Sequence, residues 1–188
     1  MAFNHVALAT RDLPATHRFY TEAMGFPLVH VEGAATDAPP GWLRHAFYDT
    51  GDGSLLAFME LHDERFADFD AAISRGLGLP TWVNHLAFDA ADDGALDDAL
   101  ERWLTCGHDA VRMEHTHGRS IYAEDPNGNT IEWSCITTPF SPEERACALA
   151  RLRQPDLPCD APTDLEFFTA GAHESARDRR RSRPPRCH

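Results

Sequence analysis

The fold of this chain is indicated most clearly by a repeated stretch of sequence, which occurs as Phe3-Asn4-His5-Val6-Ala7-Leu8 and again as Val83-Asn84-His85-Leu86-Ala87-Phe88. Each reads apolar-Asn-His-apolar-Ala-apolar, with an alternation that is typical of a half-buried strand. An amphipathic helix pattern follows each stretch, over residues 12–25 and 92–107, and both patterns open with aspartate and close with glycine. The repeat therefore predicts two copies of one structural unit.

Three further strand-like runs follow each helix pattern. In the first half they are Leu28–Glu32, Leu43–Asp49 and Ser54–Leu61; in the second half they are Ala110–Glu114, Arg119–Ala123 and Thr130–Ile136. The turn Asp125-Pro126-Asn127-Gly128 separates the last two runs and is a strong hairpin signal. The sequence thus predicts an α+β fold of two tandem strand-helix-strand-strand-strand modules.

These patterns also predict the domain organisation. We expect one domain over residues 1–140, with module one at about 3–61, a linker at 62–80 and module two at about 81–138. The linker contains a candidate helical stretch around Phe66–Ile73.

The C-terminal part, residues 141–188, lies outside the repeat. Ser141-Pro142-Glu143-Glu144 predicts the start of a third helix that runs to about Arg153. We expect the apolar Leu165, Phe167 and Phe168 to pack on the body or on a second subunit. A flexible arginine-rich tail is expected at the end of the chain.

Composition excludes several functions. The net charge of −13 disfavours nucleic acid as a partner. All 17 basic residues are arginine, which excludes lysine chemistry. The five cysteines form no Cys-x-x-Cys pair, which argues against a disulfide framework or a zinc-thiolate site. No apolar run is long enough for a membrane span and the N-terminus does not resemble a signal peptide, so we expect a cytoplasmic protein.

Four residues at related places in the two modules could hold a metal ion. Strand alternation turns His5 and His85 away from the faces that the helices cover. Glu60 and Glu132 lie in the last strand of each module, where an unpaired charge would be costly to bury. Imidazole and carboxylate ligands suit Fe(II), Mn(II), Ni(II), Co(II) or Zn(II), so the sequence predicts one divalent metal site.

These motifs resemble those of the vicinal oxygen chelate superfamily, which includes glyoxalase I, extradiol dioxygenases and drug-binding resistance proteins. The resemblance is carried by Asn4-His5-Val6-Ala7, by Phe19-Tyr20 with Met24-Gly25-Phe26, and by the stretch from Asp125 to Glu132. It implies paired βαβββ modules whose eight strands curl into a cup around the metal, a small-molecule substrate and a homodimer. Whether the metal lies within one chain or across the dimer stays open.

Two ligand patterns of that superfamily compete. The glyoxalase I-like pattern places all four residues on the metal, with a glutamate such as Glu60 as base. The extradiol-like pattern uses His5, His85 and Glu132 alone. It is supported by the stretch from His115 to Glu132, which resembles the extradiol signature and contains Tyr122.

The resemblance favours an extradiol-type dioxygenase that uses Fe(II) and acts on a small catecholic substrate. Under this hypothesis Tyr122 binds a substrate oxygen, and His115 or His117 transfers protons. The alternatives are a glyoxalase-like lyase or isomerase with a two-His, two-Glu site, and a binding protein without turnover. His45 is a weaker candidate for the same cup.

Overall fold

The computed structural model describes residues 3–37, 40–51, 53–156 and 164–171. Its nine strands form two sheets, one of four and one of five strands, with three helices. The predicted α+β fold with tandem βαβββ modules is confirmed. The main difference from the expected eight strands is an added C-terminal strand.

Module one forms the four-stranded sheet, in the order β1-β4-β3-β2. Its elements are β1 (His5–Thr10), α1 (Leu13–Arg18), β2 (Leu28–Ala35), β3 (Trp42–Asp49) and β4 (Leu55–His62). β1 pairs in parallel with β4, and the other neighbours are antiparallel.

Module two repeats this topology in the order β5-β8-β7-β6, with one extra strand at the β6 edge. Its elements are β5 (His85–Asp89), α2 (Asp93–Thr105), β6 (Ala110–Glu114), β7 (Gly118–Glu124) and β8 (Thr130–Ile136). The parallel β5–β8 pair corresponds to the β1–β4 pair of module one.

The first helix is shorter than its sequence pattern predicts. The side chain of Asp12 caps α1 by accepting a hydrogen bond from the Ala15 amide at 2.8 Å, but regular α-helix ends at Arg18. A π-helical turn follows over Phe19–Ala23. The Arg102 side chain from α2 donates to the Ala23 carbonyl at 2.9 Å, so the second module stabilises the end of this turn.

The core lies on the helix-covered faces of both sheets. Its largest fully buried side chains include Tyr20 and Trp103, one from each helical segment. Phe26 joins the modules, with its ring 4.9 Å from that of Phe88 and 5.9 Å from that of Trp133. Val6, Leu8, Leu86 and Phe88 pack against this core. His5 and His85 therefore project from the opposite faces of their sheets, as expected from strand alternation.

The Asp125 carboxylate is a second junction between the modules. It is 3% exposed, and it accepts hydrogen bonds from the Tyr20 hydroxyl and from the amides of Asn127 and Asn129 at 2.8–3.0 Å. Asn127 also donates to Thr16 of α1. The turn that the sequence predicts as a hairpin thus also fixes one module against the other.

The linker is not helical where a helix was expected. Around Phe66–Ile73 the structure has only a short 3₁₀ turn, Glu64–Phe66, and a second one follows at Arg75–Leu77. Asp63 and Asp70 accept hydrogen bonds from backbone amides two residues ahead, at 3.0 Å in both cases. Such local side-chain bonds compete with helix formation, which explains why the prediction was wrong.

The C-terminal part packs on module two. The predicted third helix is confirmed as α3 (Pro142–Leu152), with a capping box between Ser141 and Glu144. β9 (Asp164–Phe168) then pairs antiparallel with β6 and becomes the edge strand of the sheet. The expected arginine-rich tail, residues 177–186, lies outside the described residues.

Candidate active site

The strand registers decide which predicted ligands can meet. In module two His85 pairs with Thr130, so Glu132 lies two residues further along the neighbouring strand, on the same face as His85. In module one His5 pairs with Leu55, and Glu60 lies five residues further along, opposite Thr10. Because side chains alternate between faces, the odd offset turns Glu60 away from His5.

Glu60 instead binds residues on the helix-covered side and at the end of the sheet. Its carboxylate accepts a hydrogen bond from the Leu13 amide at the start of α1, at 3.3 Å. Its other oxygen lies 2.8 Å from Nε2 of His62 and 3.5 Å from the Arg44 guanidinium. These contacts satisfy a buried carboxylate and stabilise a helix N-terminus. The structure therefore does not place Glu60 with His5, His85 or Glu132 in the expected four-ligand arrangement.

Module two carries a continuous chain of polar contacts. Nε2 of His85 lies 3.0 Å from Oε2 of Glu132. The other oxygen of Glu132 accepts a hydrogen bond from the Tyr122 hydroxyl at 3.0 Å. Nε2 of His115 lies 3.0 Å from the Tyr122 oxygen. Four of the predicted catalytic and metal-binding side chains thus form one linked set, in which Glu132 and Tyr122 connect His85 to His115.

The protonation of His85 follows from its second contact. Its Nδ1 lies 3.1 Å from the carbonyl oxygen of Trp82, and a carbonyl can only accept, so Nδ1 carries a proton. In the neutral ring Nε2 then presents a lone pair to the Glu132 carboxylate. Two acceptors at 3.0 Å require a cation between them, either a proton or a metal ion. Histidine ligands of metals commonly donate their other ring N–H to a carbonyl in this way.

Tyr122 is held in its neutral form. Burial, together with the nearby charge of Glu132, raises the pKa of the Tyr122 hydroxyl to about 12. The hydroxyl is therefore a hydrogen-bond donor at neutral pH. Because it donates to Glu132, its oxygen accepts from the His115 ring, which places the proton of that ring on Nε2.

A cavity of about 610 Å³ adjoins this chain of contacts. His85, His115 and Tyr122 lie on its wall, and most of the remaining wall is apolar. A mostly apolar cavity with a few converging polar groups is the usual form of a small-molecule site.

The other predicted residues lie elsewhere. His117 contacts the Thr138 carbonyl and the Glu144 carboxylate, at 3.2 and 3.1 Å, so it helps to attach α3. His45 shares a face with His5, at 6.3 Å between ring centroids, and its buried Nε2 has no hydrogen-bond partner among the described residues.

Within the described ranges no three His, Cys, Asp or Glu side chains are grouped so that they could hold a metal ion. The chain instead presents two separate parts, His5 on module one and the His85–Glu132 pair on module two.

Two participants were missed by the sequence analysis. Trp82 orients His85 through its carbonyl, and the identity of a residue carries no signal for such a main-chain contact. Phe167 of β9 lines the cavity, whereas the sequence analysis predicted that it packs on the body or on a second subunit and did not place it beside the candidate site.

Comparison with known proteins identifies the class. Residues 2–133 match the model of the Glyoxalase/Bleomycin resistance protein/Dioxygenase superfamily. The chain belongs to this superfamily, and the match confirms the resemblance carried by the sequence motifs.

Individual relatives give a finer view. The chain is 28% identical over 145 residues to an iron-dependent extradiol dioxygenase from Rhodococcus jostii (strain RHA1). The match covers 70% of this chain but only 42% of that protein, so the chain spans less than half of its relative.

Solved structures share the fold. A glyoxylase/bleomycin resistance protein/dioxygenase domain from Frankia sp. EAN1pec matches with a TM-score of 0.55 at 22% identity, covering 72% of this chain and 92% of that one. The fosfomycin resistance protein FosX from Listeria monocytogenes matches with a TM-score of 0.52 at 20% identity, covering 77% and 98%. In the part of the chain that the structure describes, no helix is long and apolar enough to cross a membrane.

Proposed function

We propose that this chain is a divalent-metal-dependent dioxygenase of the extradiol type, acting on a small aromatic molecule with two neighbouring oxygens. The observation that carries the proposal is the linked set His85, Glu132, Tyr122 and His115, since the three members other than Glu132 lie on the wall of one apolar cavity. The relative from Rhodococcus jostii supports this choice of reaction, although the match covers less than half of it.

The proposed ligands are His85 and Glu132 of one chain and His5 of a second copy. A set of two imidazoles and one carboxylate suits Fe(II), with Mn(II), Co(II), Ni(II) and Zn(II) as other candidates. The 3.0 Å between Nε2 of His85 and Oε2 of Glu132 is the spacing of adjacent ligands whose bonds to one ion are about 2.1 Å long. When bound, such an ion would polarise the substrate oxygens as a Lewis acid and, as iron, would support chemistry with dioxygen.

Tyr122 and His115 have separate roles in the proposal. The neutral Tyr122 hydroxyl donates its one proton to Glu132, so it holds this carboxylate in place at the wall of the cavity where a substrate oxygen would enter. His115 sits behind Tyr122 with Nε2 protonated, and imidazole is the side chain that exchanges protons near neutral pH. We assign to His115, which itself lies on the cavity wall, the transfer of a proton between the substrate oxygen and solvent.

A homodimer would complete the site. His5 is at an exposed strand position of module one, with its Nδ1 2.7 Å from the Asn4 side chain. His85 is likewise at an exposed strand position of module two, in contact with the buried Glu132. In a twofold dimer each copy would give its histidine to the other, since a symmetric contact is made twice.

Mixing two inactive variants tests the shared site. His5→Ala and Glu132→Ala should each lose metal as pure proteins. After the subunits are exchanged in a mixture, each mixed dimer has one intact site, so metal content should return to about a quarter of the parent value. No recovery in dimers shown by mass to have exchanged would contradict a site shared between chains.

Oxygen uptake tests the reaction itself. Protein loaded with Fe(II) under nitrogen and then given oxygen and a panel of catechols should consume oxygen and form a coloured ring-opened product. Glu132→Ala should abolish uptake and Glu60→Ala should retain it.

The other functions give different results in the same assay. A glyoxalase-like lyase or isomerase with four ligands requires Glu60 on the metal, whereas Glu60 is engaged by Leu13, His62 and Arg44. If protein that retains its metal consumes no oxygen with any catechol of the panel, this result would contradict the dioxygenase and favour the lyase or isomerase. Stoichiometric binding of a catechol without turnover would instead favour a binding protein.

A further inference from the structure

The added strand β9 belongs to the wall of the candidate active site. It lies beyond residues 2–133, which match the superfamily model, so the shared fold does not account for it. Phe167, Phe168 and the following Thr169 all line the same cavity as His85 and Tyr122.

The register of the strands shows which side chains of this wall lie in line with the candidate metal ligands. Glu132 pairs with Tyr122, Tyr122 with Val111, and Val111 with Phe167. The four side chains therefore form one row across β8, β7, β6 and β9, on the face that carries the candidate metal ligands. With neighbouring strands about 4.8 Å apart, Phe167 lies roughly 14 Å from Glu132 along the row.

β9 is anchored from the other side of the sheet. Phe168 packs against the core and under the Arg112 guanidinium, and the Ala170 amide donates to the Asp109 carboxylate at 2.9 Å. Phe167, by contrast, is 75% exposed. An exposed aromatic ring on a fixed strand at the wall of an apolar cavity is typical of a ligand-binding surface.

The charges of the cavity restrict that ligand. Apart from the two histidines, the charged side chains on the described wall are the carboxylates Asp109 and Glu124, and no arginine is among them. An anionic group far from the metal would meet these carboxylates without a basic partner. Neutral apolar material, in contrast, would contact Val111, Met113 and Phe167.

We propose that β9 is a substrate-recognition element and that the substrate is an elongated, uncharged aromatic molecule. Its two oxygens bind near Glu132 and Tyr122, and its apolar body extends about 10–14 Å along the row to Phe167. This inference rests on the proposed function, because it uses the same cavity and the same metal-binding end.

Binding measured without turnover tests the inference. The full chain, loaded with Fe(II) under nitrogen, is titrated calorimetrically with catechol, 4-hexylcatechol and a hexyl analogue that ends in a carboxylate. We expect 4-hexylcatechol to bind at least about tenfold more tightly than catechol, through burial of its methylene groups. The carboxylate-ended analogue should lose most of that gain.

Two alanine variants on the same strand locate the effect. Phe167→Ala should lower the affinity for 4-hexylcatechol about tenfold and leave catechol unchanged. Leu165→Ala is the matched control, because Leu165 is on the same face of β9 and is exposed but does not line the cavity. It should change neither affinity.

Four results would overturn the inference. The first is that the parent protein binds catechol and 4-hexylcatechol with equal affinity. The second and third are that Phe167→Ala loses affinity for both ligands equally, or that Leu165→Ala loses as much affinity for 4-hexylcatechol as Phe167→Ala does. The fourth is that the Phe167→Ala protein no longer has the mass of a dimer. The last result would assign Phe167 to a subunit interface. If catechol itself fails to bind the metal-loaded protein, the proposed function is contradicted together with the inference.

Discussion

The two modules share one topology but carry different chemistry. In module two the row across the sheet reads Glu132, Tyr122, Val111. The corresponding row of module one, fixed by the same pairings, reads Ala57, Phe47, His30. The positions that carry a carboxylate and a phenol in module two thus carry a methyl group and a phenyl ring in module one.

This difference shows which features the repeat preserves. The parallel pair, the helix cover and the outward histidine recur in both modules, since all of them follow from the strand and helix patterns. In the part of the chain that the structure describes, the carboxylate with a hydrogen-bonded phenol is found on the site face of module two and not on that of module one. Module one has its buried glutamate, Glu60, on the opposite face, where it binds the start of α1. We infer that module two carries most of the active site and module one contributes His5.

The largest expected difference in stability is between two turns. Asp125→Ala should lower the free energy of unfolding by on the order of 3 kcal/mol, because the Tyr20 hydroxyl and two buried amides lose their acceptor. Asp49 is in the matching turn of module one, and among the described residues its side chain accepts one exposed hydrogen bond, from the Gly51 amide. Asp49→Ala should therefore cost about 1 kcal/mol. Chemical denaturation measures both. Equal losses would show that the Asp125 junction adds nothing to the turn.

A smaller effect is expected on metal affinity. Tyr122→Phe removes the hydrogen bond to Glu132 and should weaken metal binding about tenfold, the low end for loss of a partner behind a ligand. Tyr48 in module one is buried and lies near His17, away from the candidate ligands, so Tyr48→Phe is the control and should leave the affinity unchanged. Competition with a chelator gives both values. A similar decrease in the two variants would contradict a special role for Tyr122.

The smallest effect concerns alkaline pH. Burial raises the pKa of the Tyr48 hydroxyl to about 12 and that of Tyr20 well above its ordinary value. The folded state therefore binds more protons than the unfolded state above about pH 10, so stability falls as pH rises from 10 towards 12. The Tyr48 share at pH 10.5 is about 0.8 kcal/mol.

Unfolding curves at pH 9 and 10.5 measure this decrease, and Tyr48→Phe should reduce it by that amount. The chain has no lysine to obscure the comparison. A decrease of the same size in Tyr48→Phe would show that the hydroxyl does not contribute.

The sequence predicted the tandem architecture well because period and turn chemistry are local signals. The two Asn-His stretches became β1 and β5, and the helix-covered faces of both strands were assigned correctly from alternation. The start of α3 followed from its capping box. These features depend on neighbours within a few residues of one another.

The candidate site was less predictable because it depends on register between strands far apart in sequence. Glu60 and Glu132 both lie in the last strand of a module, but one is five residues and the other two residues beyond the partner of the module's histidine. No local pattern reveals an offset of that kind, and an odd offset reverses the face. The pairing of β9 with β6 was not predicted for the same reason, because the two strands are about 50 residues apart in the sequence.

The most direct test of the account compares the two glutamates. Parent protein, Glu132→Ala and Glu60→Ala are loaded with Fe(II) under nitrogen, passed over a desalting column and analysed for bound metal. We predict that Glu132→Ala loses at least about 100-fold in affinity, at or beyond the upper end for loss of an outer-shell partner, and that Glu60→Ala keeps the parent stoichiometry. Retention of metal by folded Glu132→Ala, with its loss from folded Glu60→Ala, would contradict the assignment of the metal site to module two.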